Sequence, residues 1–303
     1  MPPNRVVVRV PATTANLGPA FDCMGLVLNL YSTIVLERAT EASVEVRGYG
    51  AQRLARGSDN LVYRAAATVY QRLGREPPPL RMVCHNSIPL RRGMGSSSAA
   101  AVGGIVAANA LEDNPLSPAD LLRLATDIEG HPDNVAPALL GGCQIVVDDG
   151  GKLVTASVPL RRGLRAVVFI PEMEVPTKKA RGLLSKQVNR SDAVYNAGRT
   201  ALLALALSQG RWELLGVATQ DRLHQQPRQA LMPAMEPVFE AATKAGACGV
   251  FLSGAGPTIL ALTAGDTAPI GKAMAEAAAA NSFPGAWRSM GIGGRGAHVV
   301  ETA

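Results

Sequence analysis

The stretch Pro89-Leu90-Arg91-Arg92-Gly93-Met94-Gly95-Ser96-Ser97-Ser98-Ala99-Ala100 sets two glycines and three serines directly ahead of a run of small, helix-compatible residues. That order predicts a loop feeding a helix N-terminus, with the helix running from Ser96 to about Leu111. Glycine reaches backbone angles closed to other residues and lets the main chain approach a ligand. The first N–H groups of a helix lack internal partners and sit at the positive end of its dipole, which suits a phosphate. The spacing is neither G-x-x-x-x-G-K-[ST] nor G-x-G-x-x-G, so local chemistry leaves two readings open: a phosphate cradle, or a Gly/Ser turn that caps a helix. Gly103-Gly104 in mid-helix disfavour it by roughly 1 kcal/mol each relative to alanine, which implies close backbone packing there.

A chain of 303 residues, 47% hydrophobic, can bury one large core or two of ordinary size, and two domains are expected. The net charge of +6 asks for an anionic partner. Nucleic acid is disfavoured, because the basic pairs Arg91-Arg92, Arg161-Arg162 and Lys178-Lys179 are scattered and aromatics make up only 4% of the chain. Cys23, Cys84, Cys143 and Cys248 form no C-x-x-C pair, so reduced thiols are expected rather than a disulfide framework or a zinc site. Arginines at positions 5 and 9 interrupt the N-terminal apolar run, and no stretch approaches the roughly 18 apolar residues of a membrane span. A cytoplasmic protein without membrane partners is the expectation.

Arg5 to Val10, Leu26 to Leu36, Ser43 to Val46 and Leu80 to Cys84 read as strands, the first leading into a loop that begins at Pro11. Leu61 to Tyr70 reads as a helix behind Asp59-Asn60. Ser117-Pro118-Ala119-Asp120 starts another, with Ser117 as N-cap, and Gly130 stops it. Glu129 then lies at a helix C-terminus, where a carboxylate opposes the dipole, so a cationic group should face it. Val135 to Leu140 is a short helix and Gln144 to Asp148 a strand. A Pro- and Arg-marked turn near Arg161 to Gly163 divides the chain into residues 1–162 and 163–303. The second part alternates: strand Leu164 to Ile170, loop Pro171 to Lys179, helices Ala193 to Leu207, Trp212 to His224 and Met235 to Ala245. Strands Gly249 to Leu252 and Thr258 to Thr263, helix Ile270 to Ala280 and strand His298 to Val300 complete an α+β pattern. Gly291 to Gly296 matches G-x-G-x-x-G, but seven following residues leave no room for the βαβ unit of a dinucleotide site.

Four motifs in order carry a resemblance over nearly the whole chain, from about Val6 to Val299. They are Pro11-Ala12-Thr13-Thr14-Ala15-Asn16-Leu17-Gly18-Pro19-Ala20-Phe21-Asp22, the Pro89 to Ala99 stretch, Glu129-Gly130-His131-Pro132-Asp133-Asn134-Val135-Ala136-Pro137-Ala138 and Ser253-Gly254-Ala255-Gly256-Pro257-Thr258. Together they resemble the GHMP kinases, and the first and third are similar to the homoserine-phosphorylating members in particular. The resemblance implies a two-domain fold, ribosomal-protein-S5-like in the N-terminal part and ferredoxin-like in the C-terminal part. It also implies ATP and Mg²⁺, the small-molecule substrate L-homoserine, a place in threonine biosynthesis, and the homodimer common in the family. A kinase for another small alcohol, of mevalonate or shikimate type, is the rival within enzymes. A noncatalytic binding protein on the same fold is the rival outside them.

Carried over onto matching positions, the resemblance gives Pro89 to Ala99 to the ATP phosphates (Pro89, Leu90, Arg91, Arg92, Gly93, Met94, Gly95, Ser96, Ser97, Ser98 and Ala99), with Asn60 and Val62 beside the adenine. Capping of the Leu61 helix is the equal alternative for Asn60. Ser97 and Glu129 become the metal ligands. Asn16, Asp22, His131, Thr177, Arg181 and Arg228 face the substrate, Asp22 opposite its ammonium and the two arginines on its carboxylate, which a guanidinium fork suits. Solvated surface charge is the plain alternative for both arginines. Several relatives use an aspartate near Asp133 and Asn134 as general base; which of the two takes that place stays open, and Asp133 is given an orienting role. The Ser253 to Thr258 loop is expected to buttress the phosphate loop. Met94 and Ser98 stand where leucine and alanine are usual, with no bearing expected on the chemistry.

Overall fold

The computed structural model describes residues 2–303. The strands are β1 (Arg5–Ala15), β2 (Met24–Arg38), β3 (Ser43–Gly48), β4 (Leu80–Asn86), β5 (Cys143–Asp149), β6 (Lys152–Val158), β7 (Arg165–Pro171), β8 (Gly249–Leu252), β9 (Ile259–Thr263), β10 (Gly285–Met290) and β11 (His298–Thr302). The helices are α1 (Leu61–Arg72), α2 (Ser96–Leu111), α3 (Pro118–Glu129), α4 (Val135–Leu140), α5 (Thr177–Arg181), α6 (Arg190–Gln209), α7 (Leu215–Ala218), α8 (Gln225–Arg228), α9 (Met235–Lys244) and α10 (Thr267–Ala280). No helix among the described residues is long and apolar enough to cross a membrane.

Seven strands make the first sheet, in the order β11-β1-β2-β4-β3 with β5 and β6 hung on the start of β2. Fifteen-residue β2 pairs with β4 through Thr33 to Arg38 and with β5 through Met24 to Leu26, so one strand serves both wings. Four antiparallel strands, β10-β7-β9-β8, make the second sheet. The chain leaves the first sheet at Val158 and enters the second at Arg165, while β11 returns to pair with β1. Helix α2 is apolar on nearly every side and lies buried against β1, α1 and α3. The mid-helix glycines are explained by that packing. A Cβ on Gly103 would stand 2.3 Å from Ile34, and one on Gly104 2.5 Å from the Val62 carbonyl.

Three local expectations need correction. Strand β1 continues through Pro11 to Ala15, paired with β2 along its length, so only Asn16 to Asp22 of the first motif is loop. Trp212 to His224 is not one helix: after α7 the Asp221 carboxylate accepts from the amides of Leu223, His224 and Gln225, replacing helical bonds with a side-chain cap. Strand β10 went unread because Gly285-Ala286-Trp287-Arg288-Ser289-Met290 contains no β-branched residue. The four cysteines are free, as expected, and burial pushes the Cys84 and Cys143 thiols up to about 12.

Candidate active site

The glycine loop is held in a shape that only glycine fits. Gly93 and Gly95 have φ of 73° and 67°. A Cβ on Gly93 would meet the Ser253 carbonyl at 2.2 Å, and one on Gly95 would meet Thr13 Oγ1 at 2.0 Å. Gly95 is the N-cap of α2 and supplies no side chain, and the first backbone bond of the helix runs from Ala99 N to Gly95 O. The amides of Ser96, Ser97 and Ser98 are therefore the orphan donors of a buried helix. The 253–258 loop braces this turn: the Ser253 hydroxyl donates to the Gly93 carbonyl at 2.6 Å and lies 2.8 Å from the Thr14 hydroxyl. Thr258 N also bonds to the Arg92 carbonyl.

Glu129 ends α3, a helix whose start is fixed by the expected Ser117 cap, here a full capping box with Asp120. Its carboxylate accepts from the Ser97 hydroxyl at one oxygen and from Ser98 Oγ, at 2.6 Å, at the other. No lysine or arginine pairs with it among the described residues; the groups that face it are the two serine hydroxyls. Ser98, expected to leave the chemistry untouched, in fact grips this carboxylate. One carboxylate and adjacent hydroxyls form a sparse, hard-oxygen donor set, and no cluster of three His, Cys, Asp or Glu exists among the described residues. Such a set fits Mg²⁺, which keeps waters and takes phosphate oxygens, better than a cation needing an all-protein cage.

Two cavities meet at this helix start. A polar one of about 440 Å³ runs over the loop from Arg92 to Ser98 and reaches Glu129, His131, Thr177, Arg181 and Arg228. A second, of about 290 Å³, is walled by Ile34, Leu54, Leu90, Ala99 and Ala100, and shares Arg91, Ser96 and Ser97 with the first. Asn60 caps α1 through Val62 N, as the capping alternative has it, and also lines the second cavity. Val62 does not line it: the side chain is buried in the core, 4% exposed, where α1 packs on α2. Pro89 is buried outside both cavities as well.

The far end of the polar cavity is organised by charge. Asn16 closes the first motif loop, donating to the Gly254 carbonyl and accepting from Asp22 N. Asp22 does not line the cavity directly; its carboxylate is taken by Arg181 at 2.8 and 2.5 Å. Arg228 overturns the surface-charge alternative, being 1% exposed. One of its terminal nitrogens donates to His224 Nδ1 at 2.7 Å and to the Gly254 carbonyl at 2.9 Å; among the described residues its Nε has no partner and no carboxylate lies within ion-pair distance. Burial pulls the guanidinium down to about 10, still fully charged at neutrality. The Phe21 ring lies under both guanidiniums, 5.4 Å from Arg181 and 5.8 Å from Arg228, and stacks on His224.

The turn after α3 brings His131, Asp133 and Asn134 into the same cavity. Asp133 is 2% exposed; its Oδ1 faces His131 Nδ1 at 2.7 Å and accepts from Asn134 N. Burial lowers the His131 pKa, but the Asp133 hydrogen bond and charge outweigh it and the net shift is upward. Asn134 Oδ1 accepts from the Thr13 hydroxyl beneath Gly95. Thr177 opens α5, and Arg181 closes it, one turn on.

Models of the GHMP kinase N-terminal and C-terminal domains match residues 60–142 and 203–281. The chain belongs to the GHMP kinases. Among relatives in this family, the homoserine kinase of Moorella thermoacetica is 47% identical over 89% of this chain and 92% of its own. That of Synechocystis is 45% identical over 84% and 85%. A crystal structure of homoserine kinase from Cytophaga hutchinsonii superposes with a TM-score of 0.89 at 31% identity, covering 98% of both chains. L. major mevalonate kinase with R-mevalonate shares the fold alone, at a TM-score of 0.64 and 16% identity over 96% of each chain. Sequence reasoning gave no role to Phe21, which lines the polar cavity, or to His224, which packs behind it against Arg228. Phe21 was readable in principle, as one of five phenylalanines and the neighbour of Asp22. His224 opens the stretch His224-Gln225-Gln226-Pro227-Arg228, of which only the arginine drew a role.

Proposed function

We propose that this GHMP kinase transfers the γ-phosphoryl group of ATP to the side-chain hydroxyl of L-homoserine, giving O-phospho-L-homoserine for threonine biosynthesis. Arg228 carries the reading. A buried guanidinium with no carboxylate partner calls for an anion, since an isolated buried charge is expensive. Asp22 and Arg181 supply one further charge of each sign beside it. An amino acid with a free ammonium and carboxylate fits that set; mevalonate, lacking the ammonium, does not.

In this reading the apolar cavity near Asn60 takes the adenine, and the open amides of Ser96, Ser97 and Ser98 take the phosphates. Ser97 and Glu129 hold Mg²⁺, which neutralises phosphate charge when bound. Arg228 and Arg181, with the Thr177 hydroxyl, hold the carboxylate of homoserine, and Asp22 its ammonium. Asp133, aligned by His131 and the Asn134 amide, orients the hydroxyl that attacks; phosphoryl transfer through a loose transition state needs positioning more than a strong base. Residues 1–162 and 163–303 serve as its two domains, with β11 lent back to the first sheet. A cytoplasmic location goes with the use of ATP. The deciding experiment offers homoserine, mevalonate, shikimate and serine with ATP and follows ADP release. Fastest turnover with homoserine is expected, and preference for an alcohol lacking the ammonium would overturn the reading.

A further inference from the structure

Resting on the homoserine reading, we infer that His224 is a positioning residue for the substrate carboxylate, fixing Arg228 to the first motif loop. The side chain is fully buried, and each ring nitrogen has one partner of fixed polarity. Arg228 can only donate, so Nδ1 must accept at 2.7 Å. Nε2 then carries the proton and donates to the Gly18 carbonyl at 2.7 Å. The tautomer is thus dictated by its neighbours, and burial keeps the ring neutral, its pKa depressed to about 4.

The consequence is geometric. Gly18 belongs to the loop that carries Asp22, the ammonium side of the site, whereas Arg228 belongs to α8, the carboxylate side. His224 joins the two through one rigid ring, and Phe21 of the same loop stacks on it with centroids 5.2 Å apart. The Asp221 carboxylate fixes the backbone of the histidine by accepting from His224 N at 2.9 Å. A second bond from the same Arg228 nitrogen to Gly254 ties in the brace of the phosphate loop. The spacing between the two charged ends of the substrate is therefore held by His224, which itself touches neither end.

The test is a binding cycle, read by calorimetry with L-homoserine alone and, separately, with a nonhydrolysable ATP analogue. His224→Leu should weaken homoserine binding about tenfold and leave nucleotide binding within about twofold. His224→Gln, which keeps a donor and an acceptor, should recover most of the loss. In an Arg228→Ala background His224→Leu should add less than about twofold, because a residue acting through another has nothing left to act on. Equal weakening in both backgrounds, or unchanged homoserine affinity, would overturn the inference. Should the leucine variant not fold, His224→Asn, too short to reach Gly18, is read by the same criteria. Slow hydrogen exchange at the Arg228 guanidinium by NMR, lost in His224→Leu, tests the positioning without any substrate. A wild-type protein that releases no ADP with homoserine would end the kinase reading and leave that signal to decide on His224.

Discussion

Arg181 and Asp22, 159 residues apart, close a two-point ion pair beside the cavity in which each would otherwise meet the opposite charge of an amino acid. Their side chains are 34% and 33% exposed, a setting in which an ion pair contributes only about 0–1 kcal/mol. The pair is therefore weak enough for a zwitterion to displace. Its ammonium would take over Asp22 as its carboxylate takes over Arg181.

Asp22→Asn should accordingly raise the KM for homoserine about tenfold, leave the KM for ATP nearly unchanged and shift stability by less than about 1 kcal/mol. Steady-state kinetics with each substrate varied, together with urea unfolding, check this. Equal changes in both KM values would remove Asp22 from the substrate site.

Arg228→Ala should raise the homoserine KM by about a hundredfold or more, well beyond Asp22→Asn, since the arginine is buried and the aspartate is not. Product formation at saturating ATP measures it.

Glu129→Ala should remove turnover while circular dichroism shows an intact fold. Ser98→Ala should be milder, raising the Mg²⁺ concentration for half-maximal rate about three- to tenfold by freeing one carboxylate oxygen. An unchanged Mg²⁺ titration in Ser98→Ala would mean that its 2.6 Å bond to Glu129 has no part in holding the metal.

Gly95→Ala meets both a left-handed φ of 67° and the Thr13 hydroxyl at 2.0 Å. It should lower stability by about 1–3 kcal/mol and abolish nucleotide binding, because the backbone must leave the shape that aims the helix amides. Thermal unfolding and nucleotide titration report the two effects separately.

Acid should destabilise the protein through His224. Its folded pKa, depressed by burial to about 4, lies below the ordinary 6.5, so the unfolded chain binds the extra proton first. The stability it contributes is present above pH 6.5 and declines as pH falls from there towards 4. His131, shifted the other way, contributes below pH 6.5 and loses that contribution as pH rises through its folded pKa. Urea unfolding at pH 6.5 and pH 5 should show a smaller acid loss in His224→Gln than in the wild type.

Much of the fold was legible because its signals are local. The Ser96 start of α2, the Ser117 cap and the Gly130 stop follow from backbone chemistry within a few residues, and the structure places them where the pattern does. The two mid-helix glycines announced close packing for the same reason. What escaped was nonlocal. The environment of Arg228 depends on His224 and Gly254, the partner of Asp22 comes from the other half of the chain, and the Ser98 hydroxyl acquires a role only because α3 ends beside it. Val62 was misplaced because a residue adjoining a cavity and one facing the core look alike in sequence. The helix of 212–224 failed because one aspartate side chain captured three amides.

The hydroxyl of Ser253, set against Gly93 from the opposite end of the chain, has a consequence for how the enzyme is born. A ribosome that has released only β1 to β6 holds a glycine turn without its brace. Grip on the nucleotide should therefore appear late in synthesis, when the hairpin of the second sheet clicks in behind it, and a nascent half-protein would not squander ATP.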